Sequence, residues 1–223
     1  MKPTKYELML LCLILVGFVF GLAIYNKLPD EVAVHWNAQG IPDGYAHKAL
    51  LVFLMPALGV VFWWLMRIIP NIEPLRANIK SFVESFNLFI VAMVAFLLYI
   101  EVASVAYNLG FSMDLSKVVL LGIAIIIYLA GVLTEKSKRN YFIGIRTPWT
   151  LSSDKVWNKT NKLGGRLFRL AALLILASTL LPGEWAFIIT ITLVLGVAFF
   201  TIFYSYFLYA KTKGKSKRLI KQA

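Results

Sequence analysis

Six predominantly apolar runs, each near the length that a lipid bilayer demands of a helix, leave this chain few ways to fold. A hydrocarbon core about 30 Å thick takes roughly 20 helical residues, and runs of this kind recur at 8–25, 49–69, 85–107, 118–134, 167–181 and 185–210. The fifth is short and holds Arg169, whose long side chain is expected to snorkel toward the headgroups. The Pro182-Gly183-Glu184 stretch then reads as a tight turn into the sixth. The expected fold is an all-α integral membrane protein, a bundle of six transmembrane helices. Composition agrees, since 60% of the 223 residues are apolar and the mean hydropathy is +0.75, well outside the range of soluble domains.

Charge placement provides an orientation without having been used to draw the spans. Lys and Arg in short loops mark the cytoplasmic side. With the amino terminus inside, that side receives Lys2, Lys5, Arg67, Arg76, Lys80, the segment 136–169 and the tail 211–221, whereas Lys27, Lys48 and Lys117 fall outside. Acidic residues divide almost evenly, so the net charge of +12 is read as a basic inner surface facing anionic headgroups. Direct nucleic-acid binding is not needed to explain it. Both termini are accordingly expected in the cytoplasm. The run 8–25 is longer than a signal-peptide core and no small-x-small site follows it, so it is expected to remain as the first span. The single Cys12 lies within that run, which excludes an internal disulfide framework and disfavours a thiolate metal site.

Recognition or chemistry must therefore sit in two loops or inside the bundle. In the external loop, 26–48, Val32, Val34 and Trp36 alternate with Ala33, His35 and Asn37, a pattern for a short strand. Asn37 to Gly40 and Pro42-Asp43-Gly44 read as two turns. A compact cap over the outer helix ends follows. His35, Asp43 and His47 are ligand types for zinc, but their spacing matches no helical ligand pair. A structural role for His35 and a surface role for His47 are expected instead, with no metal and no cofactor.

In the cytoplasmic loop, 135–166, Pro148 disfavours helix at Thr147. Ser152 or Ser153 can cap a new helix with Asp154 in its first turn. Val156, Trp157, Thr160 and Leu163 share one face of that helix and Lys155, Lys159 and Lys162 flank the other, which predicts an amphipathic helix along the headgroup plane. Gly164-Gly165 would form the bend into span five. Arg146 and Trp149 read either as interfacial anchors or, with Trp157 close by, as a partner-binding patch. The sequon Asn158-Lys159-Thr160 lies on the inner side and is set aside.

Within the spans, Arg76, Lys80 and Glu84 at helical spacing suggest that the third helix starts before the membrane, with Lys80 and Glu84 paired. Glu101 stands in an otherwise apolar stretch near the outer end of span three, and an intramembrane carboxylate is a functional candidate by default. Gly17 and Gly21 form a GxxxG packing motif. Walker, HExxH, GxSxG and paired-cysteine motifs are all absent from the sequence, which argues against an enzyme.

The stretch 140–165 resembles the signature of the SdpI family, with Ile143-Gly144-Ile145-Arg146-Thr147-Pro148-Trp149-Thr150-Leu151-Ser152 followed by Val156-Trp157-Asn158-Lys159-Thr160. The external Leu28-Pro29, His35-Trp36-Asn37-Ala38-Gln39-Gly40 and Pro42-Asp43-Gly44 resemble a small domain of unknown function that often precedes it. The chain then divides into 1–69, two spans with the cap, and 70–223, four spans with the motif loop, forming one structural unit. The resemblance implies a multi-spanning cell-membrane protein of bacteria or archaea whose namesake protects a producer cell against a secreted sporulation-delaying toxin. It also implies signalling, in which the toxin-occupied protein holds a small transcriptional repressor at the membrane. Where the family pattern often has His, this chain has Asn161, which puts any role for that imidazole in doubt.

On this reading the partners are the lipid bilayer, a secreted toxin outside and a small repressor inside. The residues expected to meet the external ligand are His35, Trp36, Asn37, Gly40, Asp43 and Tyr45. Those expected to meet the partner inside are Arg146, Thr147, Pro148, Trp149, Ser152, Trp157, Asn158 and Thr160. The alternative function is a small transporter or channel that uses Glu101.

Overall fold

The computed structural model describes residues 4–220; Lys2 and Lys221 of the charge pattern lie outside the described residues. Helix α1 (Lys5–Ile24) is capped by Thr4, whose hydroxyl accepts from the Glu7 N–H at 3.2 Å. A 3-10 turn leads into an antiparallel hairpin, β1 (Glu31–Trp36) and β2 (Pro42–His47). Then follow α2 (Lys48–Ile72), the short α3 (Arg76–Lys80), α4 (Val83–Asn108) and α5 (Leu115–Lys136). The one-turn α6 (Pro148–Leu151), α7 (Asp154–Ser178) and α8 (Gly183–Ile220) complete the chain. Among the described residues five helices, α1, α2, α4, α5 and α8, are long and apolar enough to cross a membrane.

The elements follow local chemistry. Thr147 and Thr150 form a reciprocal capping box with Pro148 in the first position of α6, and Ser153 caps α7 with Asp154 in its first turn. Asp114 caps α5, accepting from the Ser116 hydroxyl at 2.6 Å and the Lys117 N–H at 3.3 Å. Two sequence expectations give way here. The Pro42-Asp43-Gly44 stretch is the start of β2 rather than a turn: Trp36 pairs with Pro42 and His35 with Gly44, and the register shifts at both steps. Proline is tolerated at the first residue of a strand. Arg76, Lys80 and Glu84 do not share one helix either, because the chain breaks at Ser81 and Phe82 between α3 and α4.

The helices form two groups joined by α4, which packs against α1 and α2 on one side and α5 on the other. The most extensive pairing is α5 with α7. Its cause is a pair of facing glycines: a Cβ on Gly165 would lie 2.5 Å from the Gly131 carbonyl oxygen, and one on Gly131 would lie 2.6 Å from that of Gly165. Gly164-Gly165 is thus a packing notch inside one continuous helix, not a bend, and small residues of this kind let membrane helices approach closely. The anticipated amphipathic helix on the headgroup plane is the first half of α7, with Val156, Trp157 and Thr160 buried inside the protein.

Helix α7 also runs the length of α5. Near its start the Trp157 indole donates to the Ser137 carbonyl just past the end of α5, at 3.0 Å. Beyond its other end Gly183 lies against Ser116, at the start of α5, and against the Ala38 carbonyl of the hairpin turn. The molecule therefore has a hairpin end and a basic-loop end, with α8 running between them.

Candidate functional site

At the hairpin end, Asn37 organises the turn. Its side-chain oxygen accepts from the N–H groups of Gln39 and Ile41, each at 3.0 Å, and Gly40 takes a φ of +76° that favours glycine. The turn leans over the start of α5, since a Cβ on Gly40 would come within 2.9 Å of the Asp114 carboxylate. Beneath it lies a cavity of about 170 Å³, lined by Trp36, Asn37, Ala38, Leu115, Leu120 and Phe187. Trp36 stands edge-on to Tyr107, ring centroids 5.3 Å apart, and its buried indole N–H lacks a partner among the described residues. His35 and Asp43 pair at 2.5 Å on the exposed side, where Tyr45 is also exposed. His47 instead caps α2, accepting from the Ala49 N–H. The six expected ligand residues thus divide into Trp36, Asn37 and Gly40 at the cavity side and His35, Asp43 and Tyr45 on the open surface.

Two anchors fix the hairpin, and sequence reading found neither. The Asn108 amide brackets Ala33: its oxygen accepts from the Ala33 N–H at 2.8 Å and its nitrogen donates to the Ala33 carbonyl at 2.9 Å. Lys48 reaches Asp30 at 2.9 Å and the Leu28 carbonyl at 3.2 Å. The hydrogen bond from Lys48, reinforced by its charge, holds the Asp30 carboxyl below the usual carboxylate range. A lone Asn or Lys at a membrane boundary is common enough to carry no signal by itself.

Deeper in the bundle, two features noted separately in the sequence meet. Glu101 is fully buried, and its carboxyl faces Gly17 and Gly21 of α1: a Cβ on either glycine would lie 3.3 Å from one of its oxygens. Neither oxygen has a hydrogen-bond partner among the described residues.

At the opposite end the loop after α5 is held by its own polar side chains. Buried Asn140 accepts from the N–H groups of Phe142 and Ile143 and donates to the carbonyls of Lys138 and Ile143. Asn161 accepts from the Ile145 N–H at 2.7 Å, so it works here as a backbone clamp. Gly144 allows this contact: its φ is +109°, and a Cβ there would lie 2.6 Å from the Asn161 oxygen. Thr147 bonds Ser205 of α8 at 3.0 Å, and Trp149 packs edge-to-face on Tyr206. Buried Glu73 accepts from the Tyr141 N–H and ties the loop to the α2–α3 corner.

Of the eight inner residues singled out, Thr147, Trp157 and Thr160 are buried, Trp149 is half-buried, and Arg146, Pro148, Ser152 and Asn158 are exposed. Arg146 donates to the Tyr141 carbonyl, beside the exposed Tyr141 and Phe142 rings. Arg169 pairs with Glu135 of α5, as does Arg166, so its charge is met by a helix partner in place of the expected snorkelling.

Comparison with known proteins bears on both ends. The model of the SdpI/YfhL protein family matches residues 136–205, which hold the basic loop, α7 and much of α8. A domain of unknown function (DUF1648) matches residues 12–60, which hold most of α1, the hairpin and the first half of α2. The chain is 25% identical over 215 residues to Immunity protein SdpI of Bacillus subtilis (strain 168), covering 96% of this chain and 99% of that protein. The likeness to the SdpI/YfhL family thus covers the basic-loop end, within a weaker likeness to that immunity protein along the whole chain. No solved structure matches the chain. With its apolar helices, the chain is a multi-pass protein of the cell membrane. Glu101 and Asn108 lie outside both matched regions, on α4 in the stretch between them.

Proposed function

We propose that this chain is a non-enzymatic immunity protein of the cell membrane. In this reading its hairpin end meets a secreted amphipathic toxin or similar envelope ligand, and its basic end engages a cytoplasmic partner of the small-repressor kind. The observation that carries the proposal is the end-to-end similarity to Immunity protein SdpI. The geometry is compatible with it. The hairpin end offers an apolar cavity lined in part by Trp36, whose buried indole N–H has no partner among the described residues, a setting for an amphipathic segment. The basic end presents Arg146, Tyr141 and Phe142 on a loop that polar clamps hold in one shape, as a recognition surface requires.

The proposal includes six crossings with the hairpin outside. Helix α7 supplies the fifth crossing, for which the sequence offers only the short apolar run 167–181. At about 37 Å the helix is long enough, and one face of its polar half packs against α5, α6 and α8 while Lys155, Asn158, Lys159 and Lys162 stay exposed. Transmission between the ends needs two arrangements of the bundle with different ligand affinities.

The test is survival of a toxin-sensitive host, lacking its own immunity protein, that carries this chain and faces a producer strain. Protection that is lost in W36A at normal membrane levels supports the cavity assignment. An unprotected host making wild-type amounts of the chain overturns the immunity reading. Recruitment of a fluorescent repressor to the membrane, lost in R146A, tests the inner face separately.

A further inference from the structure

Glu101 lies about 10 Å along α4 from Asn108, beneath the hairpin, where α1, α2 and α4 converge. Its carboxyl is enclosed by Gly17 and Gly21 of α1 and lies near Val52 and Pro56 of α2. A buried carboxylate with no counter-charge and no donor is among the most expensive arrangements a protein can hold, and more so within a membrane. The surrounding elements do not relieve it. On α1 the titratable groups are Lys5, Tyr6, Glu7 and Cys12, all toward the other end of the helix, and Glu7 is engaged with Arg67 of α2. Lys48, at the start of α2, is taken by Asp30 and the Leu28 carbonyl. On β1, Glu31 is exposed and His35 is paired with Asp43. On α4, Glu84 lies at the far end, Tyr99 donates to the Val118 carbonyl and Tyr107 stands against Trp36. On α5, Lys117 and Glu135 lie at opposite ends, Glu135 with its two arginines, and Tyr128 and Lys136 lie toward the basic end.

One backbone acceptor borders the same glycine notch. Pro56 lies inside α2 and has no N–H to give the carbonyl of Val52, one turn earlier. A Cβ on Gly21 would sit 3.0 Å from that carbonyl oxygen and 3.3 Å from a Glu101 oxygen, so both acceptors border the same point, and neither Glu101 oxygen has a donor among the described residues. A proton supplies the missing donor. We propose that Glu101 and the Val52 carbonyl form an intramembrane proton-binding site, in which the neutral acid donates to the carbonyl that Pro56 leaves free. The bound proton latches α4 into the glycine notch of α1. Losing it would set a carboxylate against a carbonyl and loosen the joint between the hairpin-bearing region and the rest of the chain. The proposal does not depend on the immunity reading.

Infrared spectroscopy of the purified full-length chain in an ester-free maltoside detergent at neutral pH tests this directly. The expected result is a carboxylic-acid carbonyl band above amide I that shifts in D₂O and is missing from E101Q, whose amide can donate to Val52 in the same shape. Loss of a carboxylate band from E101Q, with no acid band in the wild type, overturns the proposal. So does an acid band that sodium chloride abolishes, since the notch would then take a metal cation. Should E101Q not assemble, dicyclohexylcarbodiimide, which adds neutral buried acids, is applied to the wild type and to E101D, and the adduct is mapped by mass spectrometry. An adduct on residue 101 supports the site, and its absence together with the absence of the acid band rejects it.

Discussion

Asn108 offers the Ala33 peptide the pair of hydrogen bonds that a further strand would make, on a hairpin that otherwise has only two strands. Ala33 is 3% exposed, so water cannot replace the amide. Asn108→Ala leaves a buried N–H and a buried C=O unpaired, at about 1–3 kcal/mol for each group. Hydrogen exchange at β1 is expected to rise sharply in this variant while the helices keep their protection. Asn108→Asp should be as damaging or worse, because a carboxylate would face the carbonyls of Ala33 and Ser104. The Asp30–Lys48 pair is a weaker anchor with a defined pH sense. Asp30 is held below its ordinary value by Lys48, so its contribution is present above the unfolded carboxylate value and is lost as pH falls through the lowered folded one. Hairpin exchange, corrected for intrinsic rates, should stay flat from neutral pH into the usual carboxylate range and rise only below it. In Asp30→Asn the acid-dependent rise should disappear. The polar residues of the hairpin were legible because alternation and turn chemistry are local. Asn108 was not, since nothing on α4 announces which strand lies over it.

At the scale of the helix, Gly164-Gly165 carries the lesson. Two adjacent glycines are a reasonable signal for a bend when only chain flexibility is considered, yet their conformation in α7 is ordinary helix. What requires them is contact: Gly165 meets the Gly131 carbonyl and the Glu135 backbone, and Gly164 meets the Ile145 side chain. That requirement belongs to the pairing of α5 with α7 and does not appear in either helix alone. Gly165→Ala should destabilise by about 1–3 kcal/mol or more, as overpacking against rigid backbone does, read as a lower unfolding midpoint in detergent or nanodiscs. Gly196 is the internal control. A Cβ there meets nothing within 4 Å, so Gly196→Ala should be neutral or stabilising by roughly 0.5–1 kcal/mol through helix propensity. Equal losses at both positions would show that the notch is not the cause. Apolar runs made the other five long helices plain, whereas α7 hides its length because its first half is polar and buries only one face, with Val156, Trp157 and Thr160.

For the whole molecule, the decisive dimension is the separation between its two ends. From Gly183, against the hairpin turn, to Ser205, bonded to Thr147 of the basic loop, α8 rises about 33 Å, close to one hydrocarbon thickness. In the proposed six-span arrangement α7 returns over the same distance beside α5, every long helix connects the same two planes, and both termini are expected on the basic side. Cys12 is the sole cysteine in the chain, so a Cys12→Ser background permits single reporters. Y45C, on the exposed hairpin surface, should react with a membrane-impermeant maleimide in intact cells. S152C on the basic loop and K213C near the end of α8 should react only after permeabilisation. Should α7 not cross, K213C and S152C would report opposite sides, and the cavity under Trp36 could not be completed by Phe187 from α8. The same labelling therefore tests the crossing number and whether the hairpin cavity can exist as a site that faces the envelope.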